Sequence, residues 1–131
     1  MERLNAWAPR VLSILRIVAA LIFMSHGAMK ILHIPVAQPG APDPLPTLLL
    51  VAGWLELAGG ALLALGLFTR PVAFLLSGEM AVGYFMAHAP QGFYPVLNKG
   101  EAAVLYCFLF LYFVFSGPGP WSLDALIRKR A

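Results

Sequence analysis

The sequence predicts an all-α integral membrane protein: one transmembrane domain over 1–131, folded as a four-helix bundle with both termini cytoplasmic and a short C-terminal interfacial helix. Three observations predict it. The chain is 60% hydrophobic and only 11% charged, with a mean hydropathy of +0.80. Soluble domains run to roughly 45–50% apolar and about 25% charged, so this chain has too little polar surface to coat a water-soluble globule. Eleven prolines separate four long apolar runs, and the basic residues gather on one side of a four-span arrangement. The same composition excludes a disordered chain, and the lone Cys107 excludes an internal disulfide.

A membrane helix needs about 20 mostly apolar residues. Four spans therefore take roughly 80 residues and leave about 50 for connections, whereas five leave almost none. Proline lacks the helix N–H donor and clashes with the preceding turn, so the prolines set the boundaries: spans are expected at about 10–33, 47–69, 71–89 and 99–116. Arg16 interrupts the first run and no A-x-A site follows, so this run is expected to be a retained helix rather than a signal peptide. Pro71 fits the first turn of the third span, where its missing N–H is harmless. The tight Thr69-Arg70 connection makes spans two and three antiparallel. At the end, Ser122 is a capping residue before Leu123, Leu126 and Ile127, which marks a short interfacial helix. Gly27, Gly53, Gly59, Gly60, Gly66, Gly78 and Gly83 lie inside the spans and predict close helix packing.

Orientation follows the cations. Arg3, Arg10, Arg70, Arg128, Lys129 and Arg130 share one side, against Lys30 and Lys99 on the other. The positive-inside rule places that basic rim, with both termini, in the cytoplasm. The net charge of +3 comes largely from it, so the basic tail is read as a topology signal rather than a nucleic-acid site.

Ionisable residues inside spans are expensive and are functional candidates by default. At about 1.5 Å per residue, Arg16 and Glu79 fall at similar depth and are expected to form a structural ion pair. The outer half carries His26, Lys30, Glu56, His88 and Glu101, with Trp54 and Tyr84 beside them. His26, Lys30 and His33 follow an i, i+4, i+7 spacing on one face, and Met80, Tyr84 and His88 follow another. Histidine exchanges protons near neutral pH, and a carboxylate in low dielectric is raised while a nearby lysine pulls it back. Such a set suits a ring bearing carbonyl oxygens, so the expected ligand-binding residues are His26, Lys30, Trp54, Glu56, Tyr84, His88 and Glu101, with Trp54 and Tyr84 flanking the ring. His33 and Lys99 are expected to snorkel toward headgroups. Haem on His26 and His88 lacks a second supporting pair, and zinc lacks a dense ligand cluster, so neither cofactor is expected.

The ordered motifs are similar to those of the DoxX family of small four-helix bacterial membrane proteins. They are Arg16; Ser25-His26-Gly27-Ala28-Met29-Lys30; Gly53-Trp54-Leu55-Glu56-Leu57-Ala58-Gly59-Gly60; and Leu65-Gly66-Leu67-Phe68-Thr69-Arg70. Then follow the loop from Gly92 to Glu101 and the close Gly117-Pro118-Gly119-Pro120-Trp121-Ser122-Leu123-Asp124. Where the family often has two glycines before the glutamate, Lys99 occupies the first. The resemblance implies a bacterial inner-membrane location and a link to membrane redox chemistry. Related proteins serve as the membrane subunit of a thiosulfate:quinone oxidoreductase or join oxidative-stress complexes, but no thiosulfate-site motif is present here.

The preferred reading is a quinone or similar lipid-soluble ligand held in a polar pocket of the outer half, in a protein serving a quinone-linked oxidoreductase. Two alternatives stay open: a non-catalytic scaffold for such a complex, and a small oligomeric transporter. Partners expected are the bilayer, a redox partner protein and further copies of the chain, and not nucleic acid.

Overall fold

The computed structural model describes residues 1–130; Ala131, the last residue of the expected 1–131 domain, and the Arg130 side chain lie outside it. All regular structure among the described residues is helical. Helix α1 is Glu2–Ile31, α2 is Thr47–Leu65 and α3 is Thr69–Gln91, of 30, 19 and 23 residues. A single turn, α4 (Pro95–Asn98), precedes α5 (Glu101–Ser116), and α6 (Leu123–Arg130) closes the chain. Helices α1 to α3 are long and apolar enough to cross a membrane, while α5 is apolar but has 16 residues.

Several local features depart from the expected pattern. The connection between α2 and α3 is 66–68, not Thr69-Arg70, because Gly66 ends α2 four residues early and Thr69 and Arg70 already belong to α3. Helix α1 starts well before residue 10 and runs through Pro9, which removes one main-chain bond without ending the helix. At its other end α1 stops at Ile31, so His33 lies beyond the helix in a left-handed conformation (φ +58°) and leaves the face expected for it. Finally, α2 and α3 each contain a π-helical turn, Leu55–Gly59 and Tyr84–His88. Such turns insert one extra residue per turn and cluster at functional sites.

The chain divides into two compact units: Met1–Thr69 with the segment from Pro118 onward, and Arg70–Gly117. In the first, α1 lies along α2. A Cβ at Gly27 would stand 2.5 Å from Leu57 N and 2.6 Å from Gly53 O, so only glycine lets the two backbones approach this closely. Gly53 faces the side chains of Ile31 and Lys30, and Gly60 faces Met24. Gly78 and Gly83 have open space where a Cβ would go, so close packing does not account for them.

Arg16 is fully buried in this unit. Its Nε donates to Leu63 O at 2.9 Å and its Nη2 to Ala64 O at 3.4 Å and Trp121 O at 2.7 Å; Nη1 donates to Pro118 O. Leu63 and Ala64 are in the last turn of α2, where carbonyls run short of helical partners; Leu63 O also accepts the Gly66 N–H at 3.1 Å, so Arg16 adds a second donor there. The planar guanidinium thus serves a helix end and a loop together, which the point charge of a lysine does not. Gly66 ends α2 at φ +69°, and Leu67 N–H returns to Leu62 O at 3.0 Å, the left-handed cap that glycine supplies without strain. Glu79, expected to pair with Arg16, lies on α3 in the second unit.

The closing motif docks on the same end. Ser13 Oγ accepts the Trp121 N–H at 3.1 Å, and Ser122 Oγ accepts the Ala125 N–H at 3.1 Å, capping α6 as expected. The Asp124 carboxylate accepts the N–H groups of Phe68 and Thr69, both at 2.9 Å. Burial pushes this carboxyl up, but those two main-chain donors and the Arg128 charge outweigh it and hold the group below its ordinary value.

In the second unit Arg70 takes a related part, donating from Nη1 to Val114 O at 2.6 Å and Phe115 O at 2.9 Å. These carbonyls lie in the last turn of α5. Ser77 Oγ donates to Cys107 O at 2.7 Å, which ties α3 to the middle of α5.

Candidate functional site

In the first unit Lys30 Nζ lies 2.7 Å from Glu56 Oε2, and both side chains are over nine-tenths buried. Lys30 closes the last turn of α1, while Glu56 sits in the π-helical turn of α2. The glycine contacts at Gly27 and Gly53 bring the helices near enough for the pair to close inside their interface. A buried pair of this kind holds its charges only because each satisfies the other. His26, by contrast, is exposed on α1, and Trp54 is 56% exposed on α2. Neither joins the Lys30–Glu56 pair.

In the second unit a different cluster forms around Asn98. This side chain is 1% exposed, and each of its polar atoms is used. Nδ2 donates to the Tyr84 hydroxyl at 3.1 Å and to Gly92 O at 2.9 Å, while Oδ1 accepts the Gly100 N–H at 2.9 Å. His88 Nδ1 lies 3.0 Å from Asn98 O, and the His88 and Tyr84 rings stack with centroids 6.2 Å apart. Tyr84 and His88 are the two ends of the π-helical turn in α3, so the turn and the Asn98 loop lock one another. Lys99, next in the chain, is forced to φ +62°. That is the left-handed conformation glycine adopts most readily, and it explains in physical terms why glycine suits this position. Glu101 is exposed in the first turn of α5, where its charge is favourable to the helix dipole.

Beside this cluster, wholly within α3 to α5, lies a cavity of about 710 Å³. Met80, Phe85, Phe93, Cys107 and Phe108 supply apolar wall, and Tyr84, whose hydroxyl meets Asn98 and Phe93 O, is also part of the lining. Small-molecule sites typically occupy about 300–1,000 Å³, mostly apolar with a few placed polar groups. The Tyr84 oxygen accepts from Asn98 Nδ2, and among the described residues its O–H donates to Phe93 O at a long 3.4 Å.

The structure thus brings Lys30 to Glu56 and Tyr84 to His88, each pair within its own unit. Sequence reasoning passed over Asn98, whose one signal was an amide residue directly before Lys99-Gly100 at a helix start. It also passed over the cavity wall, because apolar residues in an apolar span carry no contrast. Among the described residues no three His, Cys, Asp or Glu side chains gather to hold a metal ion.

Comparison with known proteins agrees with this architecture. An uncharacterised protein of Haemophilus influenzae is 49% identical over 137 residues, covering 99% of this chain and 100% of the relative. An uncharacterised membrane protein of Mycobacterium tuberculosis is 27% identical over 143 residues, covering 98% of this chain and 88% of the relative. No solved structure matches. The DoxX family model matches residues 11–89, a stretch that takes in Arg16, the Lys30–Glu56 pair and the π-helical turn of Tyr84 and His88, and the chain belongs to the DoxX family.

Proposed function

We propose that this membrane protein binds a quinone, or a lipid-soluble ring of similar chemistry, in the cavity of α3 to α5, and that it serves an oxidoreductase system of the bacterial inner membrane. The observation that carries the reading is the cavity itself: about 710 Å³ of largely aromatic and aliphatic wall with Tyr84 in its lining. Aromatic side chains favour offset or edge contact with a flat ring, and the Tyr84 hydroxyl, which donates a long bond to Phe93 O, suits a carbonyl oxygen. His88 and Asn98 act as positioning residues for that hydroxyl. The basic residues at both ends support a topology with the termini in the cytoplasm, which sets the 92–100 loop and the cavity toward the outer side. In this reading Lys30 and Glu56 form a second polar centre, in which the carboxylate handles protons.

The test is direct. Protein purified in mild detergent is extracted with organic solvent, and the extract is analysed by mass spectrometry beside a visible spectrum of the intact protein. Co-purified quinone in near-stoichiometric amount is expected. Extracts without quinone, together with no saturable uptake of added quinone, would overturn the proposal.

A further inference from the structure

A second, smaller cavity of about 90 Å³ lies in the first unit, between the end of α1 and the loop 32–46, and shares no lining residue with the cavity of α3 to α5; its role rests on the proton handling proposed for Glu56 and not on the ligand held in that larger cavity. Lys30, His33, Gln38 and Asp43 contribute to its lining, with Ala41 among the apolar wall. Two features make it more than a packing gap. Gln38 Oε1 is buried and accepts no hydrogen bond from the protein, although an acceptor left in this state costs roughly 1–3 kcal/mol. Lys30, which forms part of the same wall, is also the residue whose ammonium meets Glu56 at 2.7 Å inside the helix interface.

The groups around the cavity select what can occupy it. Lys30 is neutralised by Glu56, so Asp43 leaves the surroundings with a surplus of negative charge, and Gln38 adds a neutral acceptor. An anion is disfavoured there, whereas a small donor is favoured. Water is the donor of the right size, since a molecule takes roughly 30 Å³ in the liquid and needs two to four polar partners. His33 and Asp43 are exposed and lie in the polar, proline-rich stretch between α1 and α2, outside the apolar helices, so the outer end of the cavity is on the aqueous side in the membrane arrangement proposed above.

We propose that this cavity is a hydrated vestibule through which Glu56 exchanges protons with the aqueous phase, by way of Lys30. The transfer balances simply. Lys30 passes a proton along its bond to Glu56 Oε2 and takes one from a hydronium in the vestibule. Glu56 becomes a neutral carboxylic acid, Lys30 remains an ammonium and the hydronium becomes water. The reverse sequence returns the proton.

Infrared spectroscopy of the full chain in lipid tests this. The Glu56 carboxyl band is identified by its loss in Glu56→Gln, and its isotope shift is followed after a change from H₂O to D₂O. The Glu56 band is expected to take up a proton on acidification and to exchange far faster than the buried main-chain amides of α1 and α2. Gln38→Leu, which removes the buried acceptor, and Ala41→Leu, which fills the cavity, are each expected to slow that exchange roughly tenfold or more by expelling water. If Gln38→Leu does not fold, Ala41→Leu decides. A Glu56 band that exchanges no faster than core amides, that never protonates, or that exchanges at the wild-type rate in the folded variants would overturn the proposal.

Discussion

Removing one member of a buried ion pair leaves the other charged and desolvated, which is far costlier than removing both. Glu56→Ala is therefore expected to destabilise the protein by about 3–5 kcal/mol, the range for breaking a buried pair. Lys30→Met combined with Glu56→Leu, which leaves no orphan charge, is expected to recover most of that loss. Unfolding of the purified variants in mixed micelles measures both. Arg16 follows similar logic with neutral partners. Arg16→Lys cannot serve the carbonyls of Leu63, Ala64, Pro118 and Trp121 together; Leu63 O keeps the Gly66 N–H, but each buried acceptor left without a donor costs about 1–3 kcal/mol, and the melting temperature is expected to fall markedly. At this scale the sequence was informative where a polar residue stood out against an apolar span, as Lys30 and Glu56 do. It gave no warning that Arg16 would bind main-chain carbonyls, because those groups occur at every residue and their availability depends on where α2 ends.

At the scale of elements, helix ends and turns carry the specific interactions. Asp124 joins α6 to the Phe68-Thr69 turn through two main-chain donors. Its lowered pKa means that its contribution is complete above the ordinary carboxylate value near 3.9 and is lost as pH falls through the lowered folded value. Asp124→Asn is expected to cost about 1 kcal/mol at neutral pH, as for loss of a helix cap, and to flatten the acid limb of a stability–pH curve. An unchanged acid limb would remove Asp124 from this role. In the second unit, Lys99→Gly is expected to stabilise the 92–100 loop by about 1 kcal/mol, since the left-handed backbone costs a residue with a Cβ roughly 1–2 kcal/mol and glycine gives some of this back as unfolded-state entropy. Hydrogen exchange of the loop amides checks it. The starts of α2 and α6 and the place of Pro71 were legible, because proline and capping serine act locally. The two π-helical turns were not, since an added residue in a turn depends on what the neighbouring helix presents.

For the whole molecule, composition settled the solvent. So apolar a chain leaves the bilayer as the only medium that satisfies its surface, and three to four apolar helices follow. Whether the ends lie in the cytoplasm rests on the basic rim; reporter fusions at Met1 and after Arg130 are expected to report the cytoplasmic side, and a periplasmic signal from either would reverse the topology. The candidate site was legible only in part. Tyr84 and His88 stood out by polarity, but the cavity beside them is made mostly of residues that resemble every other span-facing residue. The most direct test of ligand binding is therefore a quinone titration of the chain reconstituted in lipid nanodiscs, comparing wild type with Ala103→Phe, which places a ring inside the cavity. Saturable binding by the wild type, weakened at least tenfold (about 1.4 kcal/mol) in a folded Ala103→Phe variant, is the expected result. Uptake that never saturates, or saturable binding that Ala103→Phe leaves unchanged, would contradict the assignment of the ligand to this cavity.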